Sequence, residues 1–240
     1  MLFRMGDMSK SKSMSSGSKR ANGNSGTLTV QQDSSREKII AAARKVFAEH
    51  PYYMATIRMV GNAGGFDHQL IAYYFPTKAE LFEAVVAATC EEFYLANKSW
   101  YIGIEGLGLR EGFSLYLDRL LEYNTLNPEP LRIMALNAPL IERLDEIPGY
   151  FYIPEVLAKT RTTFEDNIKL VAGPDEIGRF INTFNTFIIF YLGAAPSQAE
   201  VLGMNPQSLT YRNWVKETFL YVFSPLLKNL VIASETTGLS

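Results

Sequence analysis

The chain has 240 residues, of which 47% are hydrophobic and 20% are charged, as expected of a globular protein with a sizeable core. Its formal net charge is −2 at pH 7, but residues 1–78 hold 11 Lys and Arg against five Asp and Glu, while residues 79–240 hold 12 against 20. The charge of the whole chain would argue against a nucleic-acid partner, whereas the basic N-terminal part is compatible with one.

Three features of the sequence bear on its compartment. Cys90 is the only cysteine, which excludes an intramolecular disulfide and favours a reducing compartment. The longest strongly apolar run, residues 187–195, is far shorter than the ~20 residues of a membrane-spanning helix. Residues 1–20 lack the continuous apolar core of a signal peptide. We therefore expect a cytoplasmic protein without a membrane partner.

Residues 1–33 are rich in Ser, Gly, Lys and Arg and contain little to bury, which predicts a disordered basic arm. Two interpretations stay open: the arm contacts DNA phosphates or the minor groove, or it is a tail that only increases solubility, which is favoured because such tails are common. A capping box of Ser34 and Glu37 predicts the start of the first helix. One face of this helix is apolar at helical spacing: Ile39, Ile40, Ala43, Val46 and Phe47.

The segment from residue 56 to residue 78 predicts two short helices joined by a tight turn. Gly64 and Gly65 end the first helix, because glycine adopts the left-handed backbone that a sharp turn needs. Asp67 is the predicted N-cap of the second helix, and Gly61 allows the two helices to approach closely. This arrangement is typical of a helix-turn-helix, whose second helix enters the major groove of DNA. The second helix extends to residue 74 and is expected to place three side chains on its inner side: Leu70, Ile71 and Tyr74.

Beyond this motif no strand-like alternation is sustained, and the sequence predicts helices. A capping box of Thr77 and Glu80 opens a long helix over residues 78–100, and Pro225 is expected to kink or end the last helix. The predicted fold class is therefore all-α, with a three-helix head on a larger helical body. The further helices, separated by Pro- and Gly-containing turns, are predicted over residues 107–124, 129–144, 154–172, 174–194 and 207–232.

The residues around the motif carry a family resemblance. The first helix has the sequence SSREKIIAAARKVFAEHP, a Thr-x-Arg opens the second, and the third leads into YYFPTKAELFEAVVAA. Over residues 34–81 this order resembles the DNA-binding domain of the tetracycline-repressor (TetR) family of bacterial transcription regulators. The resemblance implies a DNA-binding domain over residues 34–80 and an effector-binding and dimerisation domain over residues 81–240.

The second helix of the motif is the recognition helix that the resemblance implies. His68 and Gln69 are expected to face outward from it, where Gln69 can pair with adenine and His68 can bond a base edge or a phosphate. Leu70 has two interpretations, core packing and contact with a thymine methyl group, of which packing is favoured.

Other residues of the head are expected to hold the DNA backbone. Tyr73 and Lys78 match family positions with this role, and Thr56 and Arg58 begin a helix whose N-terminus favours phosphate. Their expected contribution is registration and affinity rather than sequence choice. The full predicted DNA-binding set is Thr56, Arg58, His68, Gln69, Leu70, Tyr73, Tyr74 and Lys78.

The last two long helices, predicted over residues 174–194 and 207–232, are apolar on most of their faces. Such a helix must be covered on most faces, either in the core of one chain or at a subunit interface. We favour the interface, because the resemblance implies a four-helix bundle built from these helices of two protomers. The predicted partners are therefore double-stranded operator DNA and a second copy of the chain.

The resemblance further implies a cavity between the middle helices for a small effector, which changes the spacing of the two DNA-binding heads. An apolar or aromatic effector is expected, because aromatic residues are frequent in this part of the chain and Asn side chains would supply polar contacts. The residues expected to line the cavity are Trp100, Tyr116, Tyr123, Asn124, Asn137, Phe151, Phe164, Phe184 and Asn185.

The sequence offers little support for an enzyme. Its two histidines leave none for a catalytic triad, and its carboxylates form no helical metal motif, so we predict no catalytic residue, metal or cofactor. A homodimeric, effector-released repressor is the favoured function. A DNA-binding factor of the same fold without an effector is the alternative, and an all-α enzyme is disfavoured. A solid body would indicate the effector-free factor, whereas a pocket of several hundred Å3 would indicate the regulator.

Overall fold

The structure, a computed structural model, describes residues 25–138 and 146–231, with side chains from residue 34 onward. The regular elements within these ranges are all helical, which confirms the predicted all-α class. By its internal contacts the chain divides into two units between Ser35 and Arg36. The helices of both the predicted head and the predicted body belong to the second unit, apart from the start of the first helix.

The head contains three helices, and the first of them starts earlier than the sequence predicts. Ser34 lies inside this helix and does not cap it, and residues 25–33, predicted to be disordered, have a helical backbone. Extending an existing helix adds one hydrogen bond per residue without a new nucleus, which explains the extension. Residues 1–24, the rest of the predicted arm, lie outside the described residues. The bounds are Ser25–Glu49 for α1, Ile57–Gly64 for α2 and His68–Tyr74 for α3.

The body helices begin close to the predicted positions. Thr77 is the N-cap of α4 as predicted, since the N–H of Glu80 donates to Thr77 Oγ1 at 3.1 Å. The Glu80 carboxylate accepts the Thr77 hydroxyl at 3.0 Å, in place of the Thr77 N–H that a full capping box would use. The predicted helix over residues 129–144 is observed as far as Asn137, and residues 139–145 lie outside the described ranges. The bounds are Lys78–Ser99 for α4, Leu109–Leu126 for α5, Glu129–Asn137 for α6, Tyr152–Asn167 for α7, Pro174–Ile188 for α8, Ala195–Val201 for α9 and Leu209–Val231 for α10.

The predicted helix over residues 174–194 is not one continuous α-helix. A π-helical segment, Ile189–Gly193, follows α8 and leads into the short α9, which the sequence analysis does not predict. Pro196 lies in the first turn of α9 and explains the break, because it has no N–H to donate to the preceding turn. Gly193 lies directly against the Leu131 carbonyl of α6, where a side chain would collide. The close contact between α6 and the π-helical segment therefore depends on glycine.

Pro225 does not end the last helix. α10 continues through it to Val231. The N–H that Pro225 lacks would have bonded the carbonyl of Tyr221, whose side chain is 84% exposed. Both residues lie on the exposed face of α10, so water can bind the carbonyl that the proline leaves without a helical donor.

The apolar faces of α8 and α10 meet within the single chain. The Phe184 ring of α8 lies 5.1 Å from the Phe223 ring and 5.4 Å from the Phe219 ring of α10, in edge-to-face contact. Core packing therefore accounts for part of the apolar character that the sequence analysis assigns to a subunit interface. The residues of α8 buried in this way are Ile177, Phe180, Ile181, Phe184 and Ile188.

Candidate DNA-binding surface and body cavity

The turn between α2 and α3 has the geometry that the sequence predicts. Gly65 has a φ of +69°, the left-handed region, and its N–H donates to the carbonyl of Gly61. Asp67 caps α3, since its Oδ1 accepts the N–H of Gln69 at 2.9 Å. A Cβ on Gly61 would lie 2.9 Å from the Phe66 carbonyl oxygen, so this glycine permits the close approach of the turn to α2. The glycine turn and the Asp67 cap thus hold α2 and α3 close together.

One side of α3 is buried and the other faces solvent. Ile71 is fully buried and Tyr74 is half-buried on the inner side, as predicted. His68 and Gln69 are exposed on the outer side, and Tyr73 is 67% exposed. α3 therefore presents an outer face with donors, acceptors and an aromatic ring within one and a half helical turns.

The placement of Leu70 on the inner side of α3 is wrong. Its side chain is 38% exposed, and it lies one helical turn before Tyr73 on the outer face. Ile71, also predicted on the inner side, is fully buried there. Leu70 thus adds an apolar side chain to the outer surface, and its contact with a thymine methyl group stays a prediction.

The start of α2 combines a cap with a basic side chain. Thr56 is the N-cap, and its Oγ1 accepts the N–H of Met59 at 3.3 Å. Arg58 is exposed in the first turn of the helix. A helix N-terminus with a nearby Arg is a favourable site for a phosphate group, because its N–H groups and partial positive charge face the anion.

Lys78 has an internal role that the sequence does not indicate. Its ammonium group donates to the carbonyls of Tyr52 and Ala55, at 2.9 and 3.2 Å, and lies 4.4 Å from the centre of the Tyr52 ring. Lys78 therefore fastens the start of α4 to the loop between α1 and α2. An ammonium group has three N–H donors, so a DNA phosphate remains a feasible further acceptor, and that contact stays a prediction.

The body contains a cavity of about 290 Å3 between α4, α5, α7, α8, α10 and the loop after α4. Of the nine residues predicted to line an effector site, four lie on this cavity: Tyr116, Phe164, Phe184 and Asn185. Asn97 and Tyr101 also line it, although the prediction omits them. Asn97 follows Phe93 by four residues on the same side of α4, and a polar residue in such an apolar stripe is the signal that could have identified it.

The other five predicted pocket residues do not line the cavity. The Trp100 ring is buried in edge-to-face contact with Phe93 and Tyr123, both at 5.6 Å. Phe93 lies on the cavity wall, and Trp100 and Tyr123 pack behind it. Phe151 is half exposed and lies against the neighbouring Tyr152 ring. Asn124 lies elsewhere on α5. Tyr123 and Asn124 share α5 with the cavity residue Tyr116 but do not themselves line the cavity.

Asn137, the fifth of them, connects the body to the head. It is fully buried at the end of α6, and its Oδ1 accepts the N–H of Tyr52 at 2.8 Å. Its Nδ2 donates to the carbonyl of Ile133, also at 2.8 Å. A bidentate ion pair between Arg44 of α1 and Glu92 of α4, with both N–O distances at 2.6 Å, makes a second connection.

Together, the capped and glycine-terminated helix pair and the exposed polar face of α3 define a helix-turn-helix DNA-binding domain. Residues 39–85 match the family model of the bacterial regulatory proteins of the tetR family. This confirms the resemblance found in the sequence. The chain carries the N-terminal domain and the fold of a TetR-family transcription regulator.

Solved structures agree with this assignment of the fold. A TetR-family regulator from Mesorhizobium loti MAFF303099 is 18% identical over 84% of this chain and 99% of its own, with a TM-score of 0.60. A TetR-family regulator from Agrobacterium tumefaciens is 14% identical over 84% of this chain and 100% of its own, with a TM-score of 0.57. A TetR-family regulator from Streptomyces coelicolor is 13% identical over 82% of this chain and 88% of its own, with a TM-score of 0.56. No curated protein matches the chain significantly.

Members of the TetR family are transcription regulators and not enzymes. Among the residues that the structure describes, no cluster of His, Cys, Asp and Glu could hold a metal ion. Within the same residues, every helix is too short or too polar to cross a membrane.

Proposed function

We propose that the chain is a homodimeric repressor that binds operator DNA in the bacterial cytoplasm and is released by a small effector. The observation that carries this proposal is the outer face of α3, where His68, Gln69 and Tyr73 are exposed on a helix fixed by its cap and by a glycine turn. Base recognition needs such side chains on a rigid element that fits the major groove. The domain boundaries proposed are residues 34–80 for DNA binding and 81–240 for effector binding and dimerisation.

The dimer is proposed to form through α8, the π-helical segment and α10. After the core between α8 and α10 is formed, Phe190 is still 53% exposed and Tyr221 84% exposed. Leu226, which lies on α10 like Tyr221, is also exposed. A second copy related by twofold symmetry would cover these residues and place two recognition helices on one face of a duplex.

The release by an effector is supported by the cavity and by the position of α4. The cavity volume of about 290 Å3 is close to the lower end of the range for small-molecule sites, about 300–1,000 Å3. Phe93 and Asn97 of α4 line the cavity, while Lys78 at the start of the same helix bonds the loop before α2. A ligand that shifts α4 would therefore move the head, provided that it binds one arrangement better than the other.

Dimerisation and operator binding are tested with the purified full-length chain. Sedimentation velocity at micromolar concentration should give a dimer, and selection from random duplexes should enrich a palindrome. The two half-sites of this palindrome should lie about 34–36 Å apart, which is one turn of DNA, or two turns apart. A monomer that retains no duplex above random DNA would contradict the proposal.

The effector's role is tested by reciprocal titration. A coupled effector should weaken operator binding by a factor of about 5–150, and operator should weaken effector binding by the same factor. Equal effector affinities with and without operator would instead favour the DNA-binding factor without a small-molecule switch.

A further inference from the structure

The walls of the body cavity are mostly aromatic and aliphatic. Ile181, Phe184 and Ile188 line it at the spacing of one helical face of α8, and Asn185 lies on the same face. Since one water molecule occupies about 30 Å3 of liquid, the volume of about 290 Å3 corresponds to about ten water molecules and suits a ligand of about ten non-hydrogen atoms. Further aromatic rings on the wall come from Phe93, Phe113, Phe164 and Phe180.

A small polar group of side chains interrupts this apolar wall. The Tyr116 hydroxyl oxygen accepts the Asn97 Nδ2–H at 3.0 Å, and the Tyr116 and Tyr101 hydroxyl groups are hydrogen-bonded to each other. When Tyr101 is the donor of this second bond, the O–H proton of Tyr116 is available to a ligand. Asn97 Oδ1 and Asn185 Nδ2 are buried and have no hydrogen-bond partner among the described residues. The wall thus offers donors from Tyr116 and Asn185 and an acceptor from Asn97.

The polar group is electrically neutral. Burial raises the pKa of Tyr116 above its ordinary value, so the phenol keeps its proton at physiological pH. Among the described residues on the cavity wall, the charged side chains are Glu105 and Lys169, and both are exposed. An ionised group deep in the cavity would lose its hydration without gaining a buried counter-charge, which is strongly unfavourable.

We propose that the effector is a neutral aromatic molecule with a single hydroxyl group, bound by Tyr116, Asn97 and Asn185. The hydroxyl would accept the free proton of Tyr116 or an N–H of Asn185 and donate its own proton to Asn97 Oδ1. The ring would stack against the surrounding phenylalanines. This proposal specifies the effector of the regulator proposed above and rests on it for its biological role, but ligand binding itself can be measured without DNA.

Three matched probes separate the alternatives: 2-naphthol, naphthalene and 2-naphthoate, titrated into the full-length protein at pH 7 by calorimetry. We expect 2-naphthol to bind about tenfold more tightly than naphthalene, because it satisfies buried groups that the hydrocarbon leaves without partners. The carboxylate should bind most weakly of the three. Equal binding of 2-naphthol and naphthalene would refute the polar contact, and tightest binding of 2-naphthoate would refute the neutral class and indicate Lys169 as partner. Absence of binding by all three would refute the aromatic class.

Variants assign the preference to particular residues. Tyr116→Phe and Asn185→Ala should each lower the ratio of 2-naphthol to naphthalene affinity toward one, while naphthalene still binds and thereby reports an intact cavity. Tyr123→Phe and Asn182→Ala are matched controls on the same helices that do not line the cavity, and they should keep the wild-type ratio. An unchanged ratio in both cavity variants would overturn the assignment.

Operator binding by the same preparations distinguishes the two proposals. Protein that binds its selected duplex but shows no preference for 2-naphthol contradicts only the effector class. Protein that prefers 2-naphthol but recognises no duplex contradicts the regulator.

Discussion

Asn137 should be one of the most sensitive positions of the chain, because its side chain carries a buried contact between body and head. It is 0% exposed, and its Oδ1 accepts the Tyr52 N–H at 2.8 Å. In Asn137→Ala this N–H loses its partner, which costs about 1–3 kcal/mol when a buried donor is left unsatisfied. At about 2–4 °C per kcal/mol for a protein of this size, the melting temperature should fall by about 2–12 °C.

Differential scanning calorimetry measures this loss, and Asn182→Ala provides the control. Asn182 is an exposed asparagine on α8, so its substitution should change the free energy of unfolding by no more than about 0.5 kcal/mol. Hydrogen exchange locates the effect, since the Tyr52 amide should lose protection in the Asn137 variant while amides of α10 keep theirs. A melting temperature within about 1 °C of wild type, or an unchanged Tyr52 amide, would refute the assigned contact.

Three further predictions follow from single contacts. Lys78→Ala should weaken binding to all duplexes alike and should lower the slope of log affinity against log salt concentration by about one unit, as measured by anisotropy. It should also destabilise the head in urea unfolding. An unchanged slope would leave Lys78 with its internal role only. Gly65→Ala should cost about 1 kcal/mol or more in urea unfolding, because φ is +69°, and an unchanged midpoint would contradict that strain. Burial raises the pKa of Cys90 to about 12, so iodoacetamide should label it only after unfolding. The thiol of Cys90 loses its proton near pH 9 in the unfolded chain but keeps it in the folded protein. The free energy of unfolding should therefore fall as the pH rises from 9 to 12, and Cys90→Ala should reduce this fall.

The parts of the fold that depend on short stretches of sequence are predicted well. The caps at Asp67 and Thr77 and the left-handed Gly65 are confirmed, because each depends on residues within four positions of it. The sequence pattern gives the starts of α4 to α8 and of α10 to within two residues for the same reason. The outward placement of His68 and Gln69 follows from helical spacing once the cap is known.

Features that depend on tertiary packing are not predicted. Whether Trp100 or Tyr116 faces the cavity depends on which neighbouring helix covers each ring, and both occur in equally aromatic surroundings in the sequence. The contact of Asn137 joins residues 85 positions apart in the chain, so no local pattern indicates it. The extension of α1 to Ser25 has no local signal either, because the capping box at Ser34 favours a later start.

The central claim, that α3 reads a DNA sequence, is tested most directly by Gln69→Ala. The affinities of wild type and variant are measured by fluorescence anisotropy at fixed salt, for the selected duplex and for a scrambled duplex of equal length. Wild type should prefer the selected duplex by a factor of about 1,000 or more. The variant should lose about 1–3 kcal/mol on the selected duplex and nothing on the scrambled one. Equal wild-type affinity for both duplexes, or an equal loss on both in the variant, would contradict the claim.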